Sequence, residues 1–116
     1  MKFTCTQENL NQGLIITGHL VNKNVNLPIL NNVLLEAKGG NLKLATTNLE
    51  IGISCVVRGK IETEGIFTVE SKLVADYINL LAKENVNIEL LKDDFLSIKC
   101  KNHHLAYLVG FSGFSA

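Results

Sequence analysis

Polar and apolar residues alternate from Lys2 to Thr6, with Phe3 and Cys5 on one side, and this period of two predicts a strand. The period changes at Gln7. Leu10, Leu14, Thr17 and Val21 then recur at i, i+4, i+7 and i+11, one face of a helix over 7–21 with Thr6 as its N-cap. Gly13 and Gly18 weaken that helix by up to about 1 kcal/mol each relative to alanine, which suggests close approach by a neighbour. Asn22 to Asn26 reads as a loop, ended by the only proline, Pro28. Strands are predicted over Ile29–Ala37, Leu42–Thr46 and Ile51–Val57, the first two joined by a hairpin turn at Lys38-Gly39-Gly40-Asn41. Gly59 to Gly65 reads as a polar connection.

The pattern then begins again. Ile66–Val69 is a predicted strand, and Lys72–Lys83 a helix with Ser71 as N-cap. Its apolar face is Leu73, Val74, Tyr77, Ile78, Leu80 and Leu81; its polar stripe is Lys72, Asp76, Asn79 and Lys83. Val86–Leu90 and Phe95–Cys100 form a hairpin around Lys92-Asp93-Asp94, and Leu105–Val109 is the last strand. Shifted by 64 positions, Phe3-Thr4 falls on Phe67-Thr68, Leu10 on Val74 and Leu14 on Ile78. Asn32-Val33 matches Asn85-Val86, and Leu42, Leu44 and Asn48 match Leu96, Ile98 and Asn102 after a slip of one residue. The chain therefore reads as an α+β domain over 1–116, built from two similar β-α-β-β-β units with both helices on one face of antiparallel sheets.

Composition narrows the function classes. The chain has 116 residues, 47% of them apolar, enough for one core and too apolar for disorder. No apolar stretch approaches the roughly 20 residues of a membrane span, and the start Met1–Thr6 lacks the apolar region of a secretory signal. Cys5, Cys55 and Cys100 are odd in number, without a CxxC, and Asn-x-Ser/Thr is absent, so a reduced, cytoplasmic setting with buried thiols is expected. Net charge is zero, which speaks against strong nonspecific attachment to phosphate backbones. Residues 1–60 carry six Lys/Arg against three Asp/Glu and residues 61–116 five against eight, so any nucleic-acid contact must be local.

Reaction chemistry finds little support. Gly39-Gly40 lacks the Lys-Ser/Thr of a phosphate loop. Cys100, His103 and His104 resemble a fragment of a metal site, but adjacent strand histidines point to opposite faces and no second ligand pair accompanies them. Ser71, His19 and Asp76 are triad residue types without a nucleophile elbow, and Asp93-Asp94 sits in a turn. No cofactor or metal is expected. Lys23 and Lys72 stand out instead, each at or beside a helix end on the polar face.

Several segments together resemble the N-terminal domain of the bacterial DNA polymerase III beta subunit, the beta sliding clamp family. They are Met1-Lys2-Phe3-Thr4, Leu27-Pro28-Ile29-Leu30 with Asn32, Thr47-Asn48-Leu49-Glu50, and Phe67-Thr68-Val69 leading through Lys72 to Asp76, in the family's order and spacing over about residues 1–100. The resemblance implies a non-catalytic processivity module of DNA replication. Three such domains per chain and two chains per ring close around double-stranded DNA, with helices lining the hole and sheets outside. It implies backbone contacts at Asn24, with Lys23 beside it, and at Lys72. It also implies a subunit interface near Tyr77, Leu81, Leu105 and Tyr107. Polymerase and clamp loader are the family's partners, but their pocket lies in later domains and is expected to be absent here. Residues 103–116 match the family poorly, and the chain ends where a second domain would begin. The alternative is a free-standing α+β module that binds protein partners through open sheet edges.

Overall fold

In the computed structural model the described residues are 1–21, 28–48, 50–91, 94–100 and 104–112. They begin with β1 (Lys2–Thr6) and α1 (Gln7–Gly18), followed by a 3₁₀ turn at Pro28–Asn31 and the meander β2 (Asn32–Lys38), β3 (Asn41–Thr47) and β4 (Gly52–Val57). Then come β5 (Gly59–Thr63), β6 (Gly65–Glu70), α2 (Ser71–Leu80), β7 (Asn85–Leu90), β8 (Phe95–Cys100) and β9 (His104–Ser112). All strand pairs are antiparallel, in the spatial order β4-β3-β2-β6-β9-β8-β7-β1-β5.

The pairing repeats residue by residue. β2 lies on β6 with Val33 opposite Val69 and Leu35 opposite Phe67. β7 lies on β1 with Val86 opposite Cys5 and Ile88 opposite Phe3, the same register under the sequence repeat. Leu35 faces Leu44 on β3, as Ile88 faces Ile98 on β8. Both members of each matched apolar pair are buried: Phe3 and Phe67, Leu10 and Val74, Leu14 and Ile78, Leu42 and Leu96, Leu44 and Ile98. They share one core beneath both helices.

The repeat also explains how the sheet turns its corners. β9 pairs with β8 through residues 104–109 and with β6 through Gly110 to Ser112. In the first half β4 pairs with β3 and β5 with β1, with only Arg58 between them. β4 and β5 together are thus the counterpart of β9. Gly59 pairs with Cys5 and Gly110 with Val69, which are matched positions 64 residues apart. A Cβ on Gly59 would lie 2.5 Å from the Thr4 carbonyl oxygen, and one on Gly110 would strike the carbonyl oxygen of Thr68, its repeat partner. Each corner needs a glycine because a backbone oxygen occupies the side-chain space.

The helices run antiparallel and side by side. The Gln7 side-chain amide at the start of α1 donates to the Ile78 carbonyl oxygen at 2.8 Å, and Gly18 at its end faces Ser71 at the start of α2. Gly13 lets α1 settle onto the strands, since a Cβ there would lie 2.8 Å from Leu44 and 2.9 Å from Val57. Thr46 on β3 donates to the Thr17 carbonyl oxygen at 2.6 Å, tying the last turn of α1 to the sheet.

Several expectations need correction. The segment 59–65 is not a plain connection: it contains β5, an edge strand whose side chains face largely outward, which is why it reads as polar. The strand expected from Ile29 starts at Asn32, behind the 3₁₀ turn. Thr6 does cap α1, accepting from the Asn9 amide at 3.2 Å, but Ser71 does not cap α2. Ser71 is buried inside the first turn, and the cap position is Glu70, whose side chain makes no capping bond. α2 ends at Leu80 rather than Lys83, and Leu73 and Leu80 of its expected apolar face are exposed at 49% and 81%. The Gly39-Gly40 turn is as expected, with φ of 60° and 83° suiting a type I′ hairpin. The expected Asn22 to Asn26 loop and the residues Lys92 and Asp93 lie outside the described residues.

Two outcomes follow. Gly59→Ala and Gly110→Ala should each destabilise the fold by roughly 1–3 kcal/mol in urea unfolding, as overpacking does. Gly18→Ala should be tolerated, because its Cβ meets nothing nearer than Ser71 Oγ at 4.0 Å. Burial pushes the Cys5 thiol from 9.0 up to about 12. Below pH 9 it is protonated in both folded and unfolded chains. Between pH 9 and about 12 only the unfolded chain ionises, so stability falls as pH rises. Cys5→Val, which copies its repeat partner Val69, should cost less than about 1.5 kcal/mol at neutral pH. It should also remove part of the alkaline loss, measured as the urea midpoint against pH.

Candidate nucleic-acid interface

The outward face of the helix pair is nearly neutral and mixes carboxamides with exposed apolar side chains. On α1 it carries Glu8, Asn9, Gln12, Ile15 and Ile16, with His19 at its end; on α2 it carries Lys72, Leu73, Asp76, Asn79 and Leu80. Lys72, Asp76 and Asn79 follow one another at helical spacing, so they form one ridge. Lys72 Nζ lies 3.1 Å from Asp76 Oδ2, and the two side chains are 77% and 66% exposed. An exposed pair of this kind stabilises a helix by only about 0.3–0.5 kcal/mol, so a phosphate can displace the carboxylate at little cost.

Where the start of α1 meets the end of α2 there is a cleft of about 330 Å³, lined by Gln7, Glu8, Asn9, Asn11, Gln12, Asn79, Leu81 and Lys83. Its floor is fixed by the Gln7–Ile78 bond and by the Gln7 amide donating to the Glu84 carbonyl oxygen at 2.8 Å.

The named site residues separate on inspection. Lys72 is exposed on the helix face, as its spacing required. Lys23 and Asn24 lie outside the described residues. Leu105 and Tyr107 fall within β9, but their side chains lie outside the described residues. Tyr77 is half-buried against the core, and its phenol is pushed above its ordinary range by burial and secondarily by the Cys100 thiol. Leu81 is 7% exposed and belongs to the core, so replacing it with lysine would disrupt the fold rather than clear a surface.

Reasoning from the sequence passed over the second sheet edge. Among the described residues β4 pairs only with β3, and it carries Val56 at 61% exposure beside the half-buried Cys55. With Ile16 of α1 these residues line a groove of about 210 Å³ closed by Arg58. The equivalent segment of β9, residues 104–109, pairs with β8 and leaves Val109 67% exposed opposite Phe95. No cluster of metal-ligating side chains forms among the described residues. Ser71 is buried and Asp76 pairs with Lys72, so the triad residue types do not converge. No described helix is long and apolar enough to cross a membrane.

Comparison with known proteins agrees with this geometry. The family model of the DNA polymerase III beta subunit, N-terminal domain, matches residues 1–112. The beta sliding clamp of Buchnera aphidicola subsp. Rhopalosiphum padi is 36% identical over 106 residues, covering 88% of this chain and 28% of that protein. The beta sliding clamp of Synechococcus elongatus is 33% identical over 87 residues, covering 73% and 23%. Among solved structures, a DNA polymerase III beta subunit from Eubacterium rectale superposes with a TM-score of 0.92 at 29% identity, over 100% of this chain and 32% of that one. The Helicobacter pylori beta clamp bound to a DNA ligase peptide superposes with a TM-score of 0.87 at 26% identity, over 97% and 31%. The chain thus spans about a quarter to a third of the length of these relatives. It belongs to the DNA polymerase III beta subunit family and corresponds to the N-terminal domain of that family's sliding clamps.

Proposed function

We propose that this chain serves as one domain of a ring-shaped DNA clamp, a cytoplasmic processivity module of replication that performs no reaction itself. The observation that carries this reading is the helix pair lying side by side over a sheet in which, among the described residues, β4 pairs on one side with β3 and residues 104–109 of β9 pair on one side with β8, leaving Val56 and Val109 exposed. In a ring the helices face duplex DNA and the edges continue into neighbouring domains. The ring holds DNA by topology, so its contacts need only be weak and independent of sequence. A polymerase tied to such a ring meets the primer end at high effective concentration. Polymerase, clamp loader and other peptide-bearing partners dock on the complete ring, as the DNA ligase peptide does on the Helicobacter pylori clamp. Lys72 supplies a backbone contact from α2, with Lys23 and Asn24 contributing from the sequence before Pro28. Tyr77, Leu105 and Tyr107 lie toward the subunit interface.

The apolar strip along β4 also favours a second reading, a module that binds protein partners by strand addition. The two readings differ at the helix face, which only a clamp brings to DNA. At low salt the chain should bind a duplex with a dissociation constant no tighter than about 10⁻⁴ M, with an affinity that falls as salt rises and does not depend on sequence. Lys72→Ala should weaken it. Tight, salt-insensitive or sequence-selective binding contradicts the clamp reading. Val56→Lys with Val109→Lys should reduce self-association in sedimentation while leaving the melting temperature near that of the parent, because both side chains are mostly exposed.

A further inference from the structure

We propose that the cleft where α1 begins and α2 ends is a second contact for the phosphodiester backbone, with Lys83 as its cation and Asn79, Asn9 and Gln12 as neutral donors. The inference rests on the clamp reading and says where on the helix face the duplex is held. Lys72 is tied to Asp76 at 3.1 Å, whereas Lys83 makes no ion pair among the described residues and stands exposed at the cleft wall. Lys83 was part of the polar stripe read from the sequence, at i+11 from Lys72, but the helix stops at Leu80. The chain beyond it carries Lys83 back to Asn79 and to the start of the other helix.

The cleft is rigid. Gln7 is 5% exposed and its amide is fixed on Ile78, so the two helix ends keep their spacing before any ligand arrives. Asn9, Gln12 and Asn79 are exposed carboxamides, and each offers N–H donors that phosphate oxygens accept. Glu8 is the opposing group, a carboxylate on the same wall that repels phosphate. Lys72 and Asn79 are seven residues apart on α2, about 10 Å along the ridge. One backbone running along the ridge can therefore meet Lys72 at one end and the cleft at the other.

The test is a salt titration of duplex affinity on the full chain, using a short blunt duplex of mixed sequence, read with amide chemical-shift changes. A lysine that neutralises one phosphate contributes about 0.9 to the slope of log K against log salt, and a carboxamide contributes nothing to it. Lys83→Gln should lower the slope by about 0.9. Asn79→Ala should weaken binding with the slope unchanged, and Glu8→Gln should strengthen binding. Shift changes should include Asn9, Gln12 and Asn79. All four side chains are exposed, so melting curves of the variants should overlay the parent. A slope lowered by Lys72→Gln but untouched by Lys83→Gln overturns the cleft proposal and leaves the clamp reading standing. Duplex-induced shifts confined to the sheet edges, or absent from both helices, overturn that reading itself.

Discussion

Each half of this chain places its first strand in the other half's sheet. β1 lies against β7, and β6 lies against β2, in identical register. The hydrogen bonds that complete each unit's meander are therefore supplied by a strand of the other half, 28 to 38 positions away for β2 and β6 and 79 to 87 for β1 and β7. Neither half can cover its own helix without the other, because Phe3 and Phe67 enter the common core from strands exchanged in this way. Burying one such phenyl group is worth about 1.5–3 kcal/mol, and the exchange joins both contributions in one cooperative unit. The antiparallel helix pair, the shared floor of the cleft and the two corner glycines all follow from it. Pairing over such separations also makes folding slow relative to a helical domain of similar size.

Much of this was legible in the sequence because the repeat is written in core residues. Phe3 and Phe67, Leu10 and Val74, and Leu44 and Ile98 are constrained by packing, so their spacing survives. The errors fell where burial stops constraining the chain. β5 sits at an edge with Ile61 as its main inward contact, so its composition looks like a loop. Leu73 and Leu80 fit an apolar helix face by type, yet α2 rests on the sheet through the narrower ridge of Val74 and Ile78. The misplaced cap is instructive. Ser71 is a common capping residue by composition, but the repeat sets Thr6 opposite Glu70, and the structure follows the repeat. Position in the fold outweighed residue preference.

The candidate site was half legible for a related reason. Lys72 could be placed because helical spacing alone fixes an exposed side chain on the α2 ridge. The cleft could not, since it joins Asn9 and Gln12 to Asn79 and Lys83 across two helix ends whose meeting depends on the tertiary bond from Gln7 to Ile78. Leu81 illustrates the converse. It is apolar and close to the end of α2, which suits an interface, but the chain turns extended there and directs it into the core. Two neighbouring leucines, Leu80 and Leu81, thus have opposite environments, and only the helix end decides which is which.

A protein that must hold DNA firmly yet let it pass faces conflicting demands on its inner surface. A strongly basic face binds phosphate tightly and resists movement, because every displaced contact recaptures counterions. Here the face is close to neutral: Lys72 is offset by Asp76, Glu8 shares the cleft with Lys83, and carboxamides supply the remaining donors. Neutral donors exchange phosphate oxygens for water at nearly equal free energy, so each contact is brief and the next is equivalent. Retention then has to come from elsewhere, and two exposed apolar side chains, Val56 and Val109, lie on strands away from the outward helix face, which carries Ile15, Ile16, Leu73 and Leu80. In the proposed ring, association with neighbouring domains along β4 and along residues 104–109 of β9 would exclude water around Val56 and Val109 and add backbone hydrogen bonds. In such a ring, contacts at the edges would serve closure and weak ones on the helices would serve sliding, and the doubled unit produces both surfaces from a single pattern used twice.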